Sequence, residues 1–282
     1  MTRRLAAFAL YLTAAVAQPA VEAPGAGCLL GIDGALRPVH GIAGALLAGA
    51  PAAWSVVSAA CSDSLALVKT NDSLEVRDGG LQLLARWDAP AGPALFALPR
   101  GGQAGFVYYP ATGKLLQVDG QSPPRTVLDS QSLGGSVLAI ASPDLLHLIA
   151  VVADTPGPRL VRVSAADGTI ESQTPLEDMA APLTLLSDGT VVFSDGAGLV
   201  VRPPGAAVER MSRPVGRSLV MPGRRPMVTE RRMALPAPPV SIGQMGGAWL
   251  AVRLADGGAP LALRLDGGHA RTCRIPAMEA AR

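Results

Sequence analysis

The sequence predicts an all-β chain assembled from repeats, and three observations carry that expectation. Asp-Gly pairs recur from end to end, at Asp33, Asp78, Asp119, Asp167, Asp188, Asp195, Asp256 and Asp266. Short alternating runs of Val, Leu, Ile and Ala fill the intervals between most of them, and beyond the N-terminus no stretch holds a helical apolar period for three turns. An Asp-Gly pair favours a tight two-residue hairpin because both central residues need positive φ, which Gly adopts freely and Asp tolerates better than most.

Taken in order, the chain opens with Arg3 and Arg4, an uncharged apolar run from Leu5 to Ala17, and a break at Gln18 and Pro19. Ala15, Val16 and Ala17 form a small-x-small cleavage site, so residues 1–17 read as a secretory signal peptide. The run is too short to span a bilayer, and an uncleaved anchor is the rival reading. A linker over residues 18–27, a single β domain over 28–276 and a tail over 277–282 follow. Cys28 fits a lipoprotein signal poorly, because Gly25 stands where a Leu-like residue belongs. The domain begins with "CLLGI" and "LRPVHGIAG", and units then start near Trp54, Ala94, Ser136, Ala181, Arg217 and Ile242. The first four hold four strand-like runs each, the fifth is Pro-rich and degenerate, and the last holds only three.

A period close to 40 residues in the first half, with four short strands per unit, is the signature of β-propeller blades. Six blades are expected, or seven if residues 28–53 form most of a blade. Because the last unit is one strand short, a strand within Cys28 to Gly41 is expected to complete the C-terminal blade. That closure would bring Cys28 toward Cys273, the disulfide this reading favours; Cys28 with Cys61 is the alternative, and three free buried thiols the second one. A β-sandwich with a tail is the competing fold.

The segments "SDSLALV" at Ser62, "SPDLLHLIAV" at Ser142 and "LSDGTVVF" at Leu186 each set Ser and Asp in a turn before an apolar strand. Their aspartates, Asp63, Asp144 and Asp188, are separated by 81 and then 44 positions, about two repeats and one. These segments resemble the Ser-Pro-Asp-Gly turn and strand of WD40-like, TolB-like and YVTN-type propeller blades. The likeness implies a propeller and carries no catalytic residues with it.

Composition narrows function mostly by exclusion. Net charge is +2, too small to make nucleic acid an obligatory partner, and aromatics are 4% of the chain. His40, His147 and His269 are never within metal-ligand reach along the sequence, so no metal or cofactor is expected, and His147 reads as a strand residue with one hydrogen-bonded nitrogen. No nucleophile elbow is present, and turn roles account for the acidic residues that precede Gly. "TNDS" at Thr70 contains a glycosylation sequon too short to carry weight. The densest charge lies in residues 209–232, where seven arginines against Glu209 and Glu230 give +5. Arg217, Arg224, Arg225, Arg231 and Arg232 are the candidate polyanion-binding residues, against the plainer reading of a solvated, irregular blade. Tyr108 and Tyr109 should face opposite sides of a strand, and Trp54, Trp87 and Trp249 should pack in the core or between blades. The expectation is an exported (periplasmic or secreted), monomeric, non-enzymatic propeller that presents a surface to a protein or glycan. A propeller hydrolase or lyase acting on a sugar or lactone in the central channel is the alternative.

Overall fold

The computed structural model describes residues 25–276, apart from 43, 177–178, 205–229, 247–248 and 267–268. Six antiparallel sheets follow one another along the chain as the blades of a β-propeller. Blade 1 has three strands: β1 (Gly25–Leu30), β2 (Leu36–Ile42) and β3 (Ala45–Ala48). Blade 2 has β4 (Val56–Cys61), β5 (Leu65–Thr70), β6 (Ser73–Asp78) and β7 (Leu83–Asp88). Blade 3 has β8 (Leu95–Ala97), β9 (Gly105–Tyr109), β10 (Lys114–Val118) and β11 (Arg125–Asp129). A 3-10 turn (Ser130–Leu133) leads to blade 4, with β12 (Ser136–Ala141), β13 (His147–Asp154), β14 (Gly157–Ser164) and β15 (Ile170–Pro175). Blade 5 has β16 (Ala180–Leu185), β17 (Val191–Ser194), β18 (Gly198–Arg202) and β19 (Arg231–Ala234). Blade 6 has β20 (Pro239–Gly246), β21 (Trp249–Leu254), β22 (Leu261–Asp266) and β23 (His269–Arg274).

The middle strands are apolar on both faces, as in "LALVKT" of β5 and "GLVVR" of β18, so a lone blade would leave one apolar face in water. Stacking around an axis removes that cost. The core accordingly divides into six clusters, one at each seam between neighbouring blades, including the seam between blades 6 and 1. Tyr108 and Tyr109 show the division: adjacent on β9, they enter the seams with blades 4 and 2 respectively. Outer strands are far more exposed, and β15 is exposed throughout.

The number of blades agrees with the sequence, but their boundaries do not. Residues 25–48 form a blade of their own, and blade 6 completes itself with β23. The expected N-terminal strand in the C-terminal blade is therefore absent; "PVSIGQMG", too rich in Pro and Gly to read as a strand, supplies the missing inner strand β20. Of the fifth unit expected from Arg217, Arg231–Ala234 form the outermost strand β19 of blade 5. Residues 205–229 lie between β18 and β19 of blade 5 and are outside the described residues.

Blade 1 is set into the ring in an unusual way. In blades 2 to 6 the innermost strand is the first of four, and the ends of β4, β8 and β16 gather at one mouth of the channel. β1 runs the opposite way. Gly27 lies against Met245 and Gly246 at the end of β20, whereas Gly34 accepts a hydrogen bond from Val56 N–H (2.9 Å) at the start of β4. In direction β1 thus matches the second strand of the other blades, and β3 the outermost. Among the described residues, blade 1 has no innermost strand.

Two features fix this blade in place. A Cβ on Gly27 would stand 2.0 Å from Met245 O, and Gly27 has φ of 110°, so only glycine admits this backbone approach. On the other side, Cys28 of β1 is bonded to Cys61 at the end of β4, with a Cα separation of 5.9 Å. This corrects the expected Cys28–Cys273 pair: Cys273 sits on the outermost strand of blade 6 as a free, half-buried thiol.

The Asp-Gly pairs do mark turns, by another mechanism than expected. Asp33, Asp78, Asp119, Asp167, Asp188, Asp195 and Asp256 each accept a hydrogen bond from the amide two residues on, forming Asx turns. None of them has positive φ; only the glycine that follows does, at six of the seven pairs described in full. The pair at Asp266 adjoins residues outside the description.

Replacing Gly27 by Val is expected to destabilise the protein by roughly 2–4 kcal/mol, because the ring cannot close around the added carbons. Gly25→Ala, where a Cβ meets nothing within 4 Å, is the near-neutral control. Denaturant unfolding of both variants measures the difference. Removing the cross-link between blades 1 and 2 by Cys61→Ser should cost roughly 3–4 kcal/mol for a closed loop spanning 33 positions, read as the gap between oxidised wild type and the variant.

Candidate functional site

The central channel is built by five inner strands. Ser58–Ala60 of β4, Ala94–Phe96 leading into and along β8, Leu138–Ile140 of β12, Leu183–Leu185 of β16, and Ile242 and Gln244 of β20 enclose a cavity of about 150 Å³. Among the described residues, no titratable side chain lines it.

Where the inner strands begin, four of them carry the same irregularity. The register between first and second strand slips at Val56/Ser58, Val137/Ala139, Ala180/Leu183 and Pro239/Ser241. A bulge leaves an extra residue unpaired and re-aims its side chain. The extra residues in β4, β12 and β20 are Val57, Leu138 and Val240, which stay 40%, 41% and 57% exposed. Leu138 lines the channel together with half-buried Leu95, Phe96 and Leu183, Val57 lines the gap beside blade 1, and Val240 stands exposed near the start of β20. Trp54, in the connection leading to β4, is 61% exposed. Its expected position in the core or between blades is thereby corrected: it lies in an exposed connection, not on a strand facing a seam.

The far mouth is polar and narrow. Cys61, Ser62, Asp63, Leu98, Arg100, Gly101, Ser187 and Gln244 surround only about 10 Å³, too little for more than a water molecule. The Ser-Asp turns lie at this end and are used up structurally. Ser62 Oγ accepts from Leu65 N–H and donates to Leu65 C=O, both at 3.0 Å. Asp144 accepts from the amides of Leu146 and His147 at 2.8 Å.

His147 keeps the structural role expected of it. Its Nδ1 lies 3.0 Å from Asp144 and its Nε2 3.5 Å from Glu171. Tyr109 offers no acid-base chemistry near neutrality, because burial pushes its phenol up to about 12. Among the described residues, no three His, Cys, Asp or Glu side chains are grouped to hold a metal ion.

The structure places the predicted arginines as follows. Arg231 and Arg232 are exposed on β19, and Arg232 lies 3.5 Å from Glu230 and 3.9 Å from Asp195. Arg217, Arg224 and Arg225 are outside the described residues. Trp87 packs partly buried in the seam between blades 2 and 3, and Trp249 is buried with Arg264 over its ring at 5.6 Å. Sequence reasoning missed the bulged residues, although the doublets Val56-Val57 and Val137-Leu138 break the alternation at that place.

No protein-family profile matches the chain, and no characterised protein matches it in sequence. Solved structures do match in fold. A chain of the nidogen/laminin complex superposes with a TM-score of 0.53 at 15% identity, over 89% of this chain and 93% of that one. The Kuenenia stuttgartiensis hydrazine synthase gives 0.48 at 12% identity, over 90% and 80%. A streptogramin B lyase gives 0.46 at 13% identity, over 79% and 70%. At these identities the shared property is architecture, and this chain is a six-bladed β-propeller.

Proposed function

We propose that this chain is an exported, non-enzymatic β-propeller that binds a partner protein through the apolar opening mouth of its channel. The observation that carries this reading is the set of bulges. Four inner strands break their register near their starts, and in three of them the break exposes an aliphatic side chain at that end of the strand. Exposed apolar groups gathered at one rim mark a binding surface more often than chance exposure does. A channel whose described lining holds no titratable group favours binding over hydrolysis or elimination, which need an acid or base at the reacting atom. The nidogen/laminin complex, by its description an assembly of proteins, is a precedent for a partner of that class.

Export is supported by the charged, apolar and small-residue segments of positions 1–17 and by the Cys28–Cys61 bridge, which suits an oxidising compartment. Polyanion binding by the Arg-rich stretch has no comparable support, since Arg232 already faces Glu230 and Asp195. A monomer remains the expected form of the ring.

Mass spectrometry of the protein recovered from its native host should find Gln18 as the first residue; an intact Met1 removes the case for cleavage. Cross-linking in the exported fraction should capture a partner with wild type, and about tenfold less with Leu138→Asp or Val240→Asp at unchanged melting temperature. Arg231→Ala with Arg232→Ala should leave capture intact. Equal capture by the Asp variants would sink the mouth as the interface.

A further inference from the structure

Among the described residues, blade 1 leaves a gap where its innermost strand would stand, and no described side chain fills it. Cys28–Ile32 and Gly34 of blade 1, Val56–Ala59 of β4, and Ser241–Met245, Ala251 and Arg253 of blade 6 enclose about 560 Å³. That is within the range of pockets that hold a ligand. The gap is wedge-shaped. Gly27 against Met245 and the Cys28–Cys61 bridge close it toward the far mouth, so it widens toward the opening mouth.

Its walls have the character of a strand site. Hydrogen bonding in an antiparallel pair alternates, so successive residues turn their peptide groups to opposite edges. Gly31 N–H donates to Ala35 C=O of the turn into β2 at 2.8 Å, and Leu29 stands opposite Arg37. Cys28 and Leu30 therefore direct their peptide groups away from β2, into the gap. Arg253 reaches across it to donate to the Leu30 carbonyl. That is the guanidinium's one hydrogen bond found among the described residues, and no carboxylate there pairs with it. Opposite this edge, Gly243 and Ala251 are register partners on adjacent strands, and a Cβ on Gly243 would meet nothing within 4 Å.

We propose that this gap receives a short extended segment of a partner polypeptide, added to the inner edge of β1 as the missing strand, with an acidic side chain on Arg253. Strand addition satisfies an open edge through main-chain hydrogen bonds, and side-chain pockets supply its selectivity. The apolar walls at Leu29, Leu30, Ile242 and Met245 suit aliphatic residues, and the unpaired cation selects one acid. The gap opens at the end where the inner strands begin, beside Val57 of β4, so a protein seated on the mouth would deliver the segment. The proposal rests on the partner-binding reading for the identity of its guest, and its test uses no residue outside the gap.

Fluorescein-labelled peptides of about six residues, alternating Val and Thr and carrying one Glu at either end, would be titrated by anisotropy against the full chain. Each has a twin with Gln in place of Glu. At least one Glu peptide should bind about tenfold tighter than its twin, and Arg253→Gln should erase that difference. Gly243→Leu, which fills the gap, should lower affinity at least about tenfold without lowering the melting temperature. Failure of every peptide, or binding indifferent to Gly243→Leu, overturns the proposal. So does binding that appears only when residues 18–24 are deleted, since the gap would then belong to the chain's own segment. Loss of binding in Gly243→Leu alongside normal partner capture would separate this site from the mouth.

Discussion

Every blade of this protein has two apolar faces, and the ring exists because neither can be left in water. Six seams result, and the last of them, between blades 6 and 1, decides whether the other five can form a closed circle. Many propellers close by interleaving strands from the two chain ends. Here closure is side-to-side: Ala26, Val39, Leu46 and Ala48 of blade 1 pack on Met245, Trp249, Ala262 and Ile275. Backbone meets backbone at Gly27 and Gly246. Small residues are a consequence of that geometry, because a larger side chain at Gly27 would hold the two blades apart.

The way blade 1 enters the ring shapes what the centre can do. With no inner strand from that blade among the described residues, β4 and β20 come together across its place, and five strands line the channel. The Cys28–Cys61 bridge ties the reversed strand to its neighbour on one side. On that same side Arg77 is held by Glu75 (2.7 Å), which is almost fully buried, and donates to Ala52 C=O at 3.2 Å, joining blade 2 to the connection that leaves blade 1. The same vacancy leaves Arg253 reaching across an open wedge.

Much of the architecture was legible because the relevant signals are local. Turn chemistry recurs with the repeat, and alternating apolar runs between turns announce strands buried by neighbours. Misreadings arose where the physics is not local. "PVSIGQMG" has weak strand propensity, and only its place between β4 and β16 at the ring's centre makes it β20. "CLLGI" and "LRPVHGI" looked like spare strands because three strands do not announce a blade. The candidate site was less legible still. A Val-Val doublet at the start of a strand does not say that one valine will be squeezed out of register until the pairing partner is known.

The sequence by itself determined that this is an all-β chain of short, turn-punctuated strands assembled from repeats. Propensity, turn residues and composition act over a few positions and need no knowledge of the fold. Only the tertiary structure decided the direction of β1, the partner of Cys28, the exposure of Trp54 and the five-walled channel. Each depends on which strands become neighbours across the ring, and that is settled by burial of apolar faces over the whole chain.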